Sequence, residues 1–239
     1  MMSIAYHRPV YSVAILCSIA CIMLKKIIRS ILDVIYPPRK AERSWRNKTA
    51  EELTAFLPAA PAHLHTNIYA LFDYKNAIVR DIIWSLKYDG SPEAANLCAK
   101  LLYDIIVAEV AEQALFLTME KPLLIPIPLS RKREQERGFN QCVRITNELE
   151  KLDNNRCFAL CKNILIKQRD TPSQTKSQNK QERAENLRGC FNIPNPDDVR
   201  NKDIIIVDDV MTTGSTLAEA TATLKRAGAR KILCFTFAH

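Results

Sequence analysis

The stretch Ile204 to Thr216, IIIVDDVMTTGST, leaves few folds open to this chain. Ile204, Ile205, Ile206 and Val207 form an uninterrupted apolar run. A strand with no polar alternate has both faces covered, as in parallel sheets packed between helices. Asp208 and Asp209 then fall at the carboxyl end of that strand, where open α/β sheets bind their ligands. Two neighbouring carboxylates accept hydrogen bonds from the vicinal hydroxyls of a sugar, or hold the hydration shell of a Mg²⁺ ion. Met211 leads into Thr212, Thr213, Gly214, Ser215 and Thr216, and a helix is expected from Thr216 to Ala227. Gly214 permits close backbone approach. Unpaired N–H groups at a helix start, joined by hydroxyls, suit a phosphate. The implied ligand carries a phosphate and a diol close together. The plainer alternative is a βα turn with a Ser/Thr cap and two solvated acids. A cap needs one hydroxyl, whereas Thr212, Thr213, Ser215 and Thr216 all carry one.

With 239 residues the chain has room for one large or two small domains. Its 47% hydrophobic content supports a core, and 25% charged residues fit a soluble protein. A formal net charge of +8 points to anionic partners: phosphorylated metabolites, nucleic acid or an acidic membrane surface. Charge alone does not choose among them. None of the eight cysteines forms a CxxC pair. Cys17/Cys21 and Cys157/Cys161 are four apart within apolar runs. The cysteines read as mostly buried, reduced thiols of a cytosolic protein. A zinc site is the lesser reading.

Val10 to Leu24 is continuously apolar or small but falls short of the about 20 residues a membrane helix needs. Its flanks, Arg8 and Lys25–Lys26, do not frame a clean signal-peptide cleavage site. Three readings compete: a weak membrane-associated helix, a signal-like segment, and an artefact of a start codon placed too far upstream. The last is favoured, because Met23 opens MLKKIIRSILDVIYPP with Ile27, Ile28, Ile31, Leu32 and Ile35 on one face. Residues 1–22 thus read as an extension, 23–66 as an N-terminal helix and linker, and 67–239 as the main domain. Pro37–Pro38 stop the first helix. A short strand is expected over 67–74 and a helix over 77–88, ended by Asp89–Gly90. Ser91 then caps a helix with Pro92 at its first position, running towards Glu112.

Leu123 to Pro128 reads as a second strand. A basic loop, Ser130 to Asn140, and a helix over 139–152 follow. Arg131, Lys132, Arg133 and Arg137 could neutralise a pyrophosphate, or simply decorate a solvated turn. Residues 159–166 suggest another strand. Residues 167–188 are polar and basic and cannot hold themselves against a core. They are a mobile lid or a plain disordered loop; a lid would exclude water and bring cations over a leaving group once ligand is bound. Lys231 to Ala238 is the final strand. Strands alternating with helices predict an α/β fold, a parallel doubly wound sheet with helices on both faces, beside a small N-terminal helical or irregular region.

The stretch 204–216 resembles the binding signature for phosphoribosyl pyrophosphate (PRPP) in type I phosphoribosyltransferases. The resemblance implies that Asp208 and Asp209 address the ribose hydroxyls as the catalytic acids. Met211 would stand beside them, and Thr212 to Thr216 would cradle the 5′-phosphate. Four blocks sharpen the likeness: FDYKNAIVRDIIWSLKYDG (72–90), LIPIPLSRKREQERGFNQ (124–141), KQRDTPSQ…QERAENLRGCFNI (167–193) and IIIVDDVMTTGSTL (204–217). They stand in the order seen in ComF family proteins, which are phosphoribosyltransferase-like and linked to DNA uptake in competent bacteria. By this resemblance Ser130, Arg131, Lys132 and Arg133 form the pyrophosphate loop. Lys167 to Arg183 form the catalytic lid, with Lys167, Arg169 and Arg183 as its cations. One departure is plain: ComF proteins usually carry a four-cysteine zinc module after the first helix, and here no cysteine lies between Cys21 and Cys98.

The resemblance implies a cytoplasmic phosphoribosyltransferase using Mg²⁺ brought in with PRPP, with no metal ligand from the protein, no zinc and an unnamed acceptor. Membrane attachment enters only if residues 1–22 are real. The rival reading is a non-catalytic module that senses PRPP or a nucleotide and contacts single-stranded DNA or a competence helicase. Against direct DNA contact, Phe139 is the one aromatic in 130–144, and 167–188 has none.

Overall fold

The computed structural model describes residues 44–61, 67–114, 121–154, 156–170 and 187–239. The apolar stretch 10–24, the expected first helix over 23–38 and residues 171–186 of the expected lid, including Arg183, lie outside the described residues.

Five parallel strands build the main sheet: β1 (Ile68–Phe72), β2 (Leu123–Pro126), β3 (Ala159–Leu160), β6 (Asp203–Val210) and β7 (Lys231–Ala238). Their order is β1-β7-β6-β2-β3. β6 sits in the middle, and its all-apolar run is explained by what covers it. Ile205 and Val207 enter one core, Ile204 and Ile206 the other. The first core packs against α1 (Ala50–Phe56), α2 (Ala77–Trp84), α3 (Pro92–Ala114) and α5 (Gln141–Leu152). The second packs against α6 (Ser215–Arg226). The sheet is therefore covered on both faces, as expected. β7 repeats the alternation, with Phe235 and Phe237 on the first side and Cys234 on the second.

Local signals set the boundaries. Asn76 caps α2, its side-chain oxygen accepting from the N–H groups of Ile78 and Val79. Ser91 Oγ accepts from Ala94 N at the start of α3. α2 does not end in an ordinary last turn but runs into a π turn, Ser85–Asp89, closed by Gly90 in the left-handed region (φ 58°).

Four expectations are corrected. The basic segment is not a loop but a short helix, α4 (Arg131–Arg137), ended by Gly138 at φ 80°. Arg, Lys, Gln and Glu are good helix formers, so a fully charged segment can still wind. The next helix, α5, starts at Gln141 rather than Phe139, where Asn140 accepts from Cys142 N and Val143 N. The strand expected over 159–166 breaks at exposed Lys162 and Asn163. Its first part joins the main sheet as β3; its last residue opens β4 (Ile166–Lys167), which pairs antiparallel with β5 (Phe191–Asn192) in a second sheet. Finally, β6 runs through both acids to Val210, and α6 begins one residue early at Ser215.

Candidate functional site

β6 carries the acid pair to the crest of the sheet between β7 and β2. Asp208 and Asp209 are 7% and 3% exposed. As neighbours in a strand they leave on opposite faces and meet different partners. Asp208 Oδ1 accepts from Cys142 Sγ at 3.4 Å, and from the backbone N of Asp209 at 2.9 Å. Asp209 Oδ2 lies 2.9 Å from Lys87 Nζ, while its Oδ1 accepts from Val210 N. Lys87 comes from the π turn.

The elbow follows directly. Gly214 is left-handed (φ 76°), and α6 starts with no side-chain cap. Thr213 Oγ1 and Ser215 Oγ lie 2.9 Å apart. The acids and residues 211–217 line one cavity of about 200 Å³ with Lys87, Arg133, Arg137 and Lys167. Tyr74 and Gln141 add polar groups to the wall, and Ile127, Pro128, Leu129 and Leu187 an apolar side.

The charges interact strongly here. Burial, then the neighbouring Asp209 carboxylate, push Asp208 well above the usual carboxylate range. Burial would raise Asp209 too, but the Lys87 ammonium overrides it and holds Asp209 low. For Lys87, burial favours the neutral amine, but the Asp209 carboxylate outweighs it and keeps the group charged. Burial also pushes the Cys142 thiol up, with both carboxylates adding to it, so that it stays protonated and donates.

The structure brings some expected residues together and separates others. Asp208, Asp209, Met211, Thr212, Thr213, Gly214, Ser215 and Thr216 share the cavity wall. Of the expected pyrophosphate loop, only Arg133 reaches that wall, joined by Arg137 one helical turn on. Ser130 is buried and bridged to Lys167, whereas Arg131 and Lys132 are exposed. Of the expected lid cations, Lys167 lines the cavity from β4, and Arg169 donates to the carbonyl of Arg188. Sequence reasoning missed Lys87, Tyr74 and Gln141. A signal for Lys87 existed, a lone cation between an amphipathic helix and a Gly turn.

Among the described residues, Cys142, Asp208 and Asp209 bring three potential ligand atoms within 4.8 Å of one another. The thiol keeps its proton and Asp209 already faces an ammonium. This donor set suits hydroxyls, or an ion carried in on a ligand, better than a resident metal. No helix among the described residues is long and apolar enough to cross a membrane.

Residues 149–239 match the phosphoribosyl transferase domain. The chain is similar to the DNA utilization protein YhgH of Escherichia coli O6:H1, at 30% identity over 63% of each chain. It is similar to competence protein F of Haemophilus influenzae, at 31% identity over 46% of each. With competence protein ComFC of Bacillus subtilis it shares 31% identity over 48% of this chain and 43% of that one. The match thus spans less than two thirds of these curated relatives' length. Together with the doubly wound parallel sheet and the acid-and-elbow crest, these likenesses show a chain built on the type I phosphoribosyltransferase fold and similar to proteins of the ComF family.

Proposed function

We propose that the cavity binds PRPP with Mg²⁺ and that the protein is a phosphoribosyltransferase of the ComF family, acting in the handling of imported DNA. One observation carries the reading: twin buried acids and a hydroxyl-lined, uncapped helix start share a cavity with four cations. That lining fits a sugar diol flanked by a phosphate on one side and a diphosphate on the other.

The residues divide the work. Asp208 and Asp209 accept from the ribose hydroxyls and fix the ring. The N–H groups opening α6, with Thr212, Thr213, Ser215 and Thr216, hold the 5′-phosphate. Arg133, Arg137 and Lys167 face the diphosphate and oppose its growing negative charge as the bond to C1 breaks. Mg²⁺, when bound with the ligand, supplies further charge neutralisation on the diphosphate. Positive charge developing on the sugar lies over the carboxylates, so catalysis is positioning and electrostatic stabilisation without a protein nucleophile.

Calorimetry with PRPP and Mg²⁺ tests the pocket. The double variant Asp208→Asn/Asp209→Asn should lose binding while keeping a native circular dichroism spectrum. Normal binding by that variant refutes the assignment. Release of pyrophosphate with a panel of nucleobases tests turnover.

A second reading, a non-catalytic sensor contacting single-stranded DNA, gains support from one observation. The aromatics absent from the basic stretches arrive from elsewhere in the chain. Exposed Tyr88 lies with its ring 5.4 Å from the guanidinium of Arg137, a residue of the cavity wall, and 4.7 Å from the Trp84 ring. Aromatics beside cations are what unpaired bases stack on. PRPP binding without turnover over the whole panel would favour this reading.

A further inference from the structure

The π turn after α2 sends Lys87 into the cavity and leaves Tyr88 53% exposed. The Lys87 side chain is 23% exposed and its partner's 5%, so the pair is largely shielded from water. Asp208, by contrast, is held by the Cys142 thiol and a backbone N–H, both neutral. A divalent ion binding Asp209 needs an oxygen within about 2.0–2.6 Å. The ammonium, 2.9 Å from Oδ2, already fills that lobe. Two cations do not share it, and a sugar hydroxyl needs the same space.

We propose that Lys87 is the resident counter-ion of the acid pair: it keeps divalent ions out of the empty cavity, and it turns onto the phosphates of an incoming sugar phosphate when Asp209 takes up the sugar. The first half concerns the free protein alone. The second half rests on the phosphoribosyl reading. The exchange conserves charge, because the ligand's phosphates replace the carboxylate as the partner of Lys87 and join it to Arg133, Arg137 and Lys167. It also sets an order, in which the metal arrives with its ligand and not before.

The test uses Mn²⁺ as reporter, titrated at pH 8 without phosphate and followed by paramagnetic resonance and calorimetry. Wild-type protein should show no saturable site. Lys87→Met should gain one, its apparent affinity at least about tenfold above any residual non-saturable binding by wild type, as expected for removing one charge a few ångströms away. Lys87→Met/Asp209→Asn should lose it again. Lys87→Arg, which keeps the charge, should behave as wild type. Lys87→Gln provides a second neutral side chain if Met impairs folding. A saturable Mn²⁺ site in the wild type overturns the proposal whatever the variants do, and so does a folded neutral variant that gains none. With Mg²⁺ and PRPP, Lys87→Met should bind about tenfold more weakly; equal binding overturns the transfer to phosphate. If the neutral variant gains its Mn²⁺ site but wild-type protein ignores PRPP, the phosphoribosyl reading and the transfer fall, and the resident ion stands.

Discussion

Asp208 and Asp209 are adjacent and chemically identical, yet the fold gives them opposite proton affinities. Asp208 is lifted from 3.8 to about 7 by burial and by its charged neighbour. Its folded-state affinity for protons therefore exceeds its unfolded-state affinity. Between those values the native state holds the extra proton, so this group's contribution is present at low pH and lost as pH rises towards 7. Asp208→Asn removes the penalty. The variant's melting temperature, relative to wild type, should be higher at pH 8 than at pH 5; an equal difference at both would contradict this. A second residue prediction concerns Gly90. A Cβ there would stand 2.8 Å from Phe139 Cε1, on a backbone at φ 58°. Gly90→Ala should cost about 1–3 kcal/mol in urea unfolding, because the left-handed backbone strain adds to the clash. The placement of the two acids beside the hydroxyl-bearing elbow was legible from sequence, since apolar run, acids and hydroxyls occur in one continuous stretch. Their unequal chemistry was not, because it depends on Lys87 and Cys142, which are remote in the chain. Lys87 in particular falls within the helix expected over 77–88, and an uninterrupted α-helix does not tell where it points. The π turn changes the helical phase and aims it inward.

At the scale of elements, α4 carries the most informative correction. As a loop, Ser130–Arg133 would bring four neighbouring side chains to a diphosphate. As a helix it presents Arg133 and Arg137, four apart on one face, and turns Arg131 and Lys132 outward. Arg133→Ala and Arg137→Ala should each weaken PRPP binding by about tenfold or more, and Arg131→Ala and Lys132→Ala by less than about twofold, as for distant exposed charges. Equal losses across the four would restore the loop reading. The strands of the main sheet were readable as apolar runs. The small β4–β5 pair was not: each strand has two residues, too few for any periodicity, and its pairing joins segments on either side of 171–186.

Across the whole molecule, protection should follow the sheet order. β6 and β7 lie inside it and carry its most buried residues, whereas β1 and β3 are its edges. Amide hydrogen exchange should be slowest in 204–207 and 232–237 and markedly faster in β1 and β3. Faster exchange in β6 than in β1 would contradict a core centred on the acid-bearing strand. The same order constrains how the molecule is made. Within the main sheet β1 pairs with β7, Ile68 opposite Cys234 and Phe72 opposite Ala238, and the Phe72 carbonyl accepts from His239 N, while on its outer side Phe72 makes an isolated bridge to Ala59. During synthesis β1 thus leaves the ribosome long before its neighbour in the main sheet exists. Its Tyr69 and Phe72 rings, destined to meet Phe235 and Phe237, wait for those partners until β7 is made. Closure of the sheet waits for β7 to be made, and holdase chaperones that recognise exposed aromatic segments gain a window on the nascent chain.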